Sequence, residues 1–290
     1  MLLPVRIPIL STIISKLFAY RPILRRLTST HCIVARPVRA PENATELTSS
    51  VILTCRDEEE NIEGLVNAIP QLGKHTEIIF IEGHSKDNTV VKIQKMIKQY
   101  PEKDIKLYKQ SGTVQGDAFQ LGFDKANGDL LCCLEVDLTI DPMEIGQFWD
   151  AYVSGRGEYI NGTRMIYQME KKSMPFYNFV GNRFLGNIFT PLLGKRFTDT
   201  LCGLKAISKR NYKKIRSNMK KFGGFDPFGD FPLIFAAAKG GLKVAEIPVH
   251  YRPRQYGASK AYEKSFLTFY KNAWLLVKMS WIESCKCTSL

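Results

Sequence analysis

The chain has 290 residues, with 41 Lys and Arg against 28 Asp and Glu, a formal charge of +13; 44% of residues are hydrophobic and 24% charged. Such ordinary globular composition excludes global disorder, collagen and a continuous coiled coil, and the length allows one large domain or two small ones with a sizeable core. No run of about 18 uninterrupted apolar residues occurs, so the sequence offers no clear spanning helix.

The excess charge is uneven. Residues 1–41 carry seven Lys and Arg and no acid. Between Pro8 and Pro22 there is room for one amphipathic helix, with Leu10, Ile13, Ile14, Leu17 and Phe18 on one stripe. Arg and Lys around such a stripe favour an anionic membrane surface. A membrane-surface anchor, a transit-type presequence and a structural arm on the domain are the three readings. No nucleic-acid partner is expected, because no binding motif follows and no stacking platform interleaves the basic residues.

From Val51 a regular rhythm begins. Apolar, β-rich runs start near Val51, Ile78, Ile105 and Leu130, about 25 to 27 residues apart. Helical patterns lie between them at Glu58–Pro70, Asp87–Tyr100 and Gln115–Ala126. Strand, helix, strand at this period predicts an α/β fold with a mostly parallel sheet flanked by helices. A fifth β run covers Tyr159–Gly162, and a last strand is expected at Val244–Tyr251. Cys132 and Cys133 lie inside an apolar run, which predicts buried thiols in a reducing compartment. Cys285 and Cys287 read as free surface thiols or as an acylation site.

Ligands of such sheets bind beyond the carboxyl ends of the strands. Polar residues cluster there: Thr54-Cys55-Arg56-Asp57-Glu58, Glu82-Gly83-His84-Ser85-Lys86-Asp87, Glu135-Val136-Asp137 and Asn161-Gly162-Thr163-Arg164. Helix capping accounts for Ser85, Asp87 and Asp141. It accounts poorly for Glu135 and Asp137, to which an apolar strand leads directly. Residues i and i+2 of a strand face the same way, so the two carboxylates point together into the crevice. Like charges that close repel unless a cation joins them, and Mg²⁺ or Mn²⁺ suits hard oxygen ligands and substrate phosphates. No phosphate loop, dinucleotide fingerprint, nucleophile elbow or zinc-ligand spacing is present.

These motifs, taken in order, resemble family-2 glycosyltransferases of the GT-A fold, in the branch of dolichyl- and polyprenyl-phosphate sugar synthases. The resemblance covers about residues 50–260 and rests on VILTCRDEEENI (51–62), IIFIEGHSKDNT (78–89), QGDAFQLGFDKANGDLL (115–131), EVDLT (135–139), NGTR (161–164), DTLCGLKA (199–206), FGDF (228–231) and EIPVHYRPRQYGASK (246–260). It implies that Thr54, Arg56, Glu58 and Glu82 line the nucleoside and that Asp117 sits near the donor. Glu135 would hold ribose or metal water, and Asp137 the divalent cation. Arg164, Arg254 and Lys260 would hold phosphates, assisted by Ser259. Five positions depart from the family: Glu135 for a first Asp, Gly83-His84 for Asp-Gly, Arg56 for Tyr and Gln115 for Lys.

Arg252, Arg254 and Lys260 pack with Tyr256 and Ser259 around Gly257, a pattern suited to clamping phosphate. Asp226 and Asp230 sit among aromatic residues, and Asp230 is the candidate acceptor-side carboxylate; its alternative is a helix cap for Phe231–Ala238. Met165–Leu193 is aromatic and apolar enough to line an acceptor groove facing lipid. A C-terminal helix carries Phe266, Phe269, Tyr270, Ala273, Trp274, Val277 and Trp281 on one side and suits a headgroup layer or a dock on the domain.

The expected organisation is a basic amphipathic segment (1–47), a GT-A domain (48–260) and an amphipathic helix (261–290). The expected activity moves a sugar, with inversion, from a nucleotide-diphosphate donor to a polyprenyl phosphate, using Mg²⁺ or Mn²⁺. The enzyme would be membrane-associated with its active site facing the cytoplasm. A transferase acting on a saccharide or protein hydroxyl, and a noncatalytic nucleotide-sugar-binding membrane protein, are the alternatives.

Overall fold

A computed structural model describes residues 40–170, 173–219, 229–256 and Trp274. The N-terminal amphipathic segment, Asp226, Ser259, Lys260 and the helical pattern around Trp274 lie outside the described residues, Trp274 itself excepted. Seven strands form one sheet: β1 (Thr48–Cys55), β2 (His75–Glu82), β3 (Asp104–Lys109), β4 (Leu130–Glu135), β5 (Tyr159–Thr163), β6 (Lys205–Ser208) and β7 (Val244–Pro248). Their order is β3-β2-β1-β4-β6-β5-β7. The helices among the described residues are α1 (Ile62–Ala68), α2 (Thr89–Gln99), α3 (Gln115–Lys125), α4 (Ile145–Val153), α5 (Phe176–Leu193), α6 (Lys209–Met219) and α7 (Asp230–Lys239).

The first four strands run parallel, as their spacing predicts. The strands β1, β2 and β4 are buried over most of their length because helices cover both sides of the sheet, whereas the edge strand β3 is mostly only partly buried. Val51, Leu53, Ile78, Phe80, Cys132 and Leu134 face one core with residues of α1, α2 and α4. Ile52, Ile79, Ile81, Leu131 and Cys133 face the other with residues of α3, α6 and α7. Burying each large aliphatic side chain contributes roughly 1.5–3 kcal/mol. The helix α3 comes unusually close to the sheet at Gly122, where a Cβ would lie 2.2 Å from Ile52 Cγ2. Cys55, Cys132, Cys133 and Cys202 are buried free thiols, and burial pushes Cys133 up to about 12.

Two features depart from expectation. The strand β6 is an unforeseen antiparallel insert between β4 and β5. The last strand stops at Pro248, three residues short of Tyr251. Residues 249–252 leave the ladder and are pinned across the carboxyl edge: Val249 N–H donates to Thr163 O at 3.0 Å, and Arg252 N–H to Thr139 O at 2.8 Å.

Candidate active site

The strand order reverses direction across β1 and β4, which lie side by side although two strands intervene in sequence. Ligand crevices form at such switch points. Register places Thr54 opposite Glu135 of β4, and Cys55 opposite Glu82 of β2. The sheet thus brings three of the predicted strand-end clusters together.

Asp137 is 3% exposed and lies beyond the end of β4, not on it. Its direction is therefore set by a turn and not by strand alternation. Asp137 Oδ1 accepts from Thr139 Oγ1 at 2.7 Å and Thr139 N–H at 3.1 Å, while Leu138 takes a left-handed φ of 55°. Asp137 Oδ2 faces Arg254 Nη2 at 2.7 Å, and Arg254 Nη1 lies 3.7 Å from Glu58 Oε1. Residues from the ends of β1, β4 and β7 thus meet at one point.

Glu58 is placed by the laced loops after β1 and β2. Its N–H donates to Thr89 Oγ1 at 2.9 Å, and Asn61 Nδ2 donates to its Oε2 at 2.7 Å. Asp57 N–H donates to Ser85 Oγ at 3.0 Å and Lys86 N–H to Asp57 Oδ1 at 2.6 Å. Ser85 and Asp87 thus lock loops: Asp87 Oδ1 also accepts from Thr89 N–H at 3.0 Å, next to the start of α2. Thr54 is partly exposed and Arg56 exposed at this rim. Glu82 is buried, with its Oε1 accepting from Ser85 N–H. Asp117 is exposed in the first turn of α3, its carboxylate against Gly112, whose carbonyl meets His84 Nε2 at 3.1 Å.

Glu135 is partly exposed, with Oε1 accepting from Gln115 Nε2 at 3.0 Å. Burial, and next the charge of Asp137, push its carboxyl up to about 7 against the pull of Gln115. Glu135 and Asp137, two carboxyl groups two residues apart whose charges repel, supply hard oxygen ligands of the kind a divalent cation takes. Among the described residues no group of three or more His, Cys, Asp or Glu assembles a complete cage. Such a donor set matches Mg²⁺- or Mn²⁺-type sites that draw further ligands from water and substrate phosphates.

Arg164 and Asp230 have partners that local sequence did not signal. Arg164 N–H and Nε donate to Asp199 Oδ2 at 3.0 and 2.7 Å, and its Nη2 to Asp199 Oδ1 at 3.0 Å. Its guanidinium also lies 5.0 Å from the Tyr251 ring. Burial opposes ionisation of Asp199, but Arg164 outweighs it and holds the carboxyl below its ordinary value. Asp230 opens α7 as its first helical residue, with Gly229 at the cap position in a left-handed φ of 81°. Lys205 Nζ lies 2.7 Å from Asp230 Oδ1. Asp199 and Lys205 belong to the DTLCGLKA motif, where charges inside an otherwise apolar run were the available signal.

Three further residues complete the rim. His250 N–H donates to the Glu144 carboxylate at 3.1 Å, and its ring stacks on Tyr167 with centroids 4.2 Å apart. Later in the chain, α5 exposes Phe176 (80%), Val180 (48%) and Phe184 (59%) at four-residue spacing.

Residues 50–233 match the family model for glycosyl transferase family 2. Over 214 residues the chain is 27% identical to a UDP-N-acetylglucosamine--dolichyl-phosphate N-acetylglucosaminyltransferase of Methanococcus voltae, covering 69% of this chain and 83% of that protein. It is 25% identical over 140 residues to Glycosyltransferase AglD of Haloferax volcanii, covering 48% of this chain and 22% of that protein. In fold it is similar to glucosyl-3-phosphoglycerate synthase from Mycobacterium tuberculosis, solved with Mn²⁺, UDP and glucosyl-3-phosphoglycerate (TM-score 0.58, 15% identity, 88% of this chain and 87% of that chain). The same holds for mannosyl-3-phosphoglycerate synthase from Rubrobacter xylanophilus (TM-score 0.59, 15% identity, 84% and 76%).

Proposed function

The chain belongs to glycosyl transferase family 2, and from that premise we propose that it transfers one sugar, with inversion, from a nucleotide-diphosphate donor to a polyprenyl phosphate at a membrane face. The observation that carries this reading is the meeting of Asp137, Glu58 and Arg254 beyond the β1 and β4 ends. The dolichyl-phosphate substrate in the name of the Methanococcus relative supports the acceptor class.

In this reading Thr54, Arg56, Glu58 and Glu82 line the nucleoside, and Asp117 borders the donor. Asp137, with Glu135, would hold Mg²⁺ or Mn²⁺, which supplies Lewis-acid stabilisation of the leaving diphosphate. Arg254 presents a planar fork to phosphate oxygens, which it can clamp bidentately. Arg164, clasped by Asp199, acts from the wall of the crevice, and Ser259 and Lys260 complete the phosphate set. Asp230 is the acceptor-side carboxylate, and Lys205 beside it favours its ionised form. A phosphate acceptor needs little help from a base, since a phosphate monoester with a second pKa near about 6 is largely dianionic at neutral pH.

The exposed stripe of α5, with the exposed Arg183 next to Phe184, supports a membrane face on the acceptor side. Among the described residues no helix is long and apolar enough to cross a membrane. Residues 48–260 would form the catalytic domain, with 1–47 and 261–290 lying on the membrane and the active site facing the cytoplasm.

The test is a screen of UDP- and GDP-sugars with Mn²⁺ or Mg²⁺ and a detergent-dispersed polyprenyl phosphate, reading lipid-linked sugar and released nucleoside diphosphate. Metal-dependent product that disappears in Asp137→Ala is expected. Transfer to free saccharide or peptide hydroxyls, with none to polyprenyl phosphate, would overturn the acceptor assignment.

A further inference from the structure

We propose that Arg254 and the divalent cation compete for one oxygen of Asp137, so that the cation enters with the donor diphosphate and not ahead of it. The inference rests on the metal-dependent transferase reading above.

The two oxygens of Asp137 are unequally committed. Oδ1 is held within its own turn by the Thr139 hydroxyl at 2.7 Å and the Thr139 N–H at 3.1 Å. Oδ2 is the oxygen that faces Arg254, 2.7 Å from Nη2. A divalent cation of this class binds carboxylate oxygen at about 2.0–2.1 Å. A cation on Oδ2 therefore stands directly against the guanidinium, and two positive groups so close repel.

The backbone gives Arg254 little room to withdraw. Val249 is tied to Thr163 at 3.0 Å, His250 to the Glu144 carboxylate at 3.1 Å, and Arg252 to Thr139 at 2.8 Å. The adjustment thus falls to the side chain. Glu58 Oε1, 3.7 Å from Nη1, gives the guanidinium a second carboxylate near its present position. A diphosphate changes both sides of this balance. Its oxygens add ligands to the cation, and they offer the guanidinium a new bidentate partner. Cation and diphosphate then raise each other's affinity, and the coupling is reciprocal.

The competition predicts opposite signs for one substitution. In the full chain, Mn²⁺ alone is titrated by the paramagnetic resonance signal of free Mn²⁺, with melting temperature followed in parallel. Arg254→Gln should bind Mn²⁺ about tenfold more tightly than the wild type and gain a larger thermal shift from it, with Arg254→Lys between. UDP and GDP, each titrated in the presence of Mn²⁺, should bind Arg254→Gln more weakly than the wild type. Weaker nucleotide binding with unchanged Mn²⁺ affinity would reduce Arg254 to a phosphate ligand and overturn the competition. Loss of both, with a lowered melting temperature that Mn²⁺ does not restore, would assign it a structural role and overturn it equally. Asp137→Asn separates the layers. If it loses Mn²⁺ while Arg254→Gln matches the wild type, only the competition fails; if it binds Mn²⁺ as the wild type does, the metal assignment falls too.

Discussion

Lys205 Nζ lies 2.7 Å from Asp230 Oδ1, and both side chains are more than nine-tenths shielded from solvent. The pair joins an interior strand of the sheet to the first turn of α7. Burial works to neutralise the lysine, yet Asp230 more than offsets it and raises its pKa. Replacing Lys205 by Met removes the lysine from beside a buried carboxylate, a change that costs about 3–5 kcal/mol in comparable pairs. Urea unfolding of Lys205→Met should show a loss of that size. The double variant Lys205→Met/Asp230→Asn should lose less than the sum of its singles, because the pair acts as a unit. Additive losses would mean that the two charges are independently held.

Asp137 tests the chemistry more directly. Arg254 and Thr139 hold its carboxylate at the rim. Asp137→Ala should lower transfer by roughly 10²–10³ or more, in line with the removal of one preorganised electrostatic group. Chelation of divalent ions should do the same to the wild type and have little further effect on the variant. A wild-type rate insensitive to chelator would contradict metal assistance.

A third expectation concerns acid. Glu77 of β2 is buried; its carboxylate accepts from Ser50 Oγ at 2.5 Å, Gly128 N–H at 3.2 Å and Lys106 Nζ at 2.7 Å, and also from Asn127 N–H. Burial opposes its charge, but Lys106, Ser50 and Asn127 outweigh that and lower its pKa from 4.5. The folded value lies below the unfolded one, so Glu77 contributes stability above pH about 4.3–4.5 that is lost as pH falls through the folded value. Glu77→Gln should therefore be less stable than the wild type at pH 7, and the gap should shrink below about pH 4.5. A gap constant between pH 7 and pH 3 would show that ionisation of Glu77 contributes nothing.

Several of these residues could be found in the sequence and several could not. The strands β1, β2 and β4 are legible because their buried centres read as apolar runs, while the edge strand β3, DIKLYK and mostly only partly buried, is legible from its place in the strand–helix rhythm. The strand β6 carries no such signature. It is four residues long, starts with a lysine, and owes its place to pairing with Leu130–Cys133 and Tyr159–Asn161, far away in sequence. For the same reason Arg164 looked like an open phosphate ligand, although Asp199, 35 residues later, takes three of its hydrogen bonds. The strand-end position of Asp137 was legible, but its orientation was not. That depends on a turn with Leu138 at positive φ, which no periodicity announces. Likewise β7 was expected to continue to Tyr251. Its ending at Pro248 is what frees residues 249–254 to cross the edge and bring Arg254 onto Asp137.

The last prediction concerns the exposed face of α5. Phe176, Val180 and Phe184 repeat every four residues, which places them on one side of the helix. Arg183 is exposed beside them, and α5 itself contains no acid. Apolar side chains presented to water beside cations suit the boundary between headgroups and acyl chains of an anionic bilayer. In the full chain, Phe176→Asp/Phe184→Asp should lower partition onto vesicles of neutral lipid containing anionic lipid by about tenfold, equivalent to about 1.4 kcal/mol. The melting temperature should hardly change, because the replaced side chains are exposed in the folded protein. Activity toward a short, water-soluble polyprenyl phosphate should survive better than activity toward a vesicle-embedded one. Unchanged vesicle partition, or equal losses on both acceptors, would remove α5 from the membrane contact.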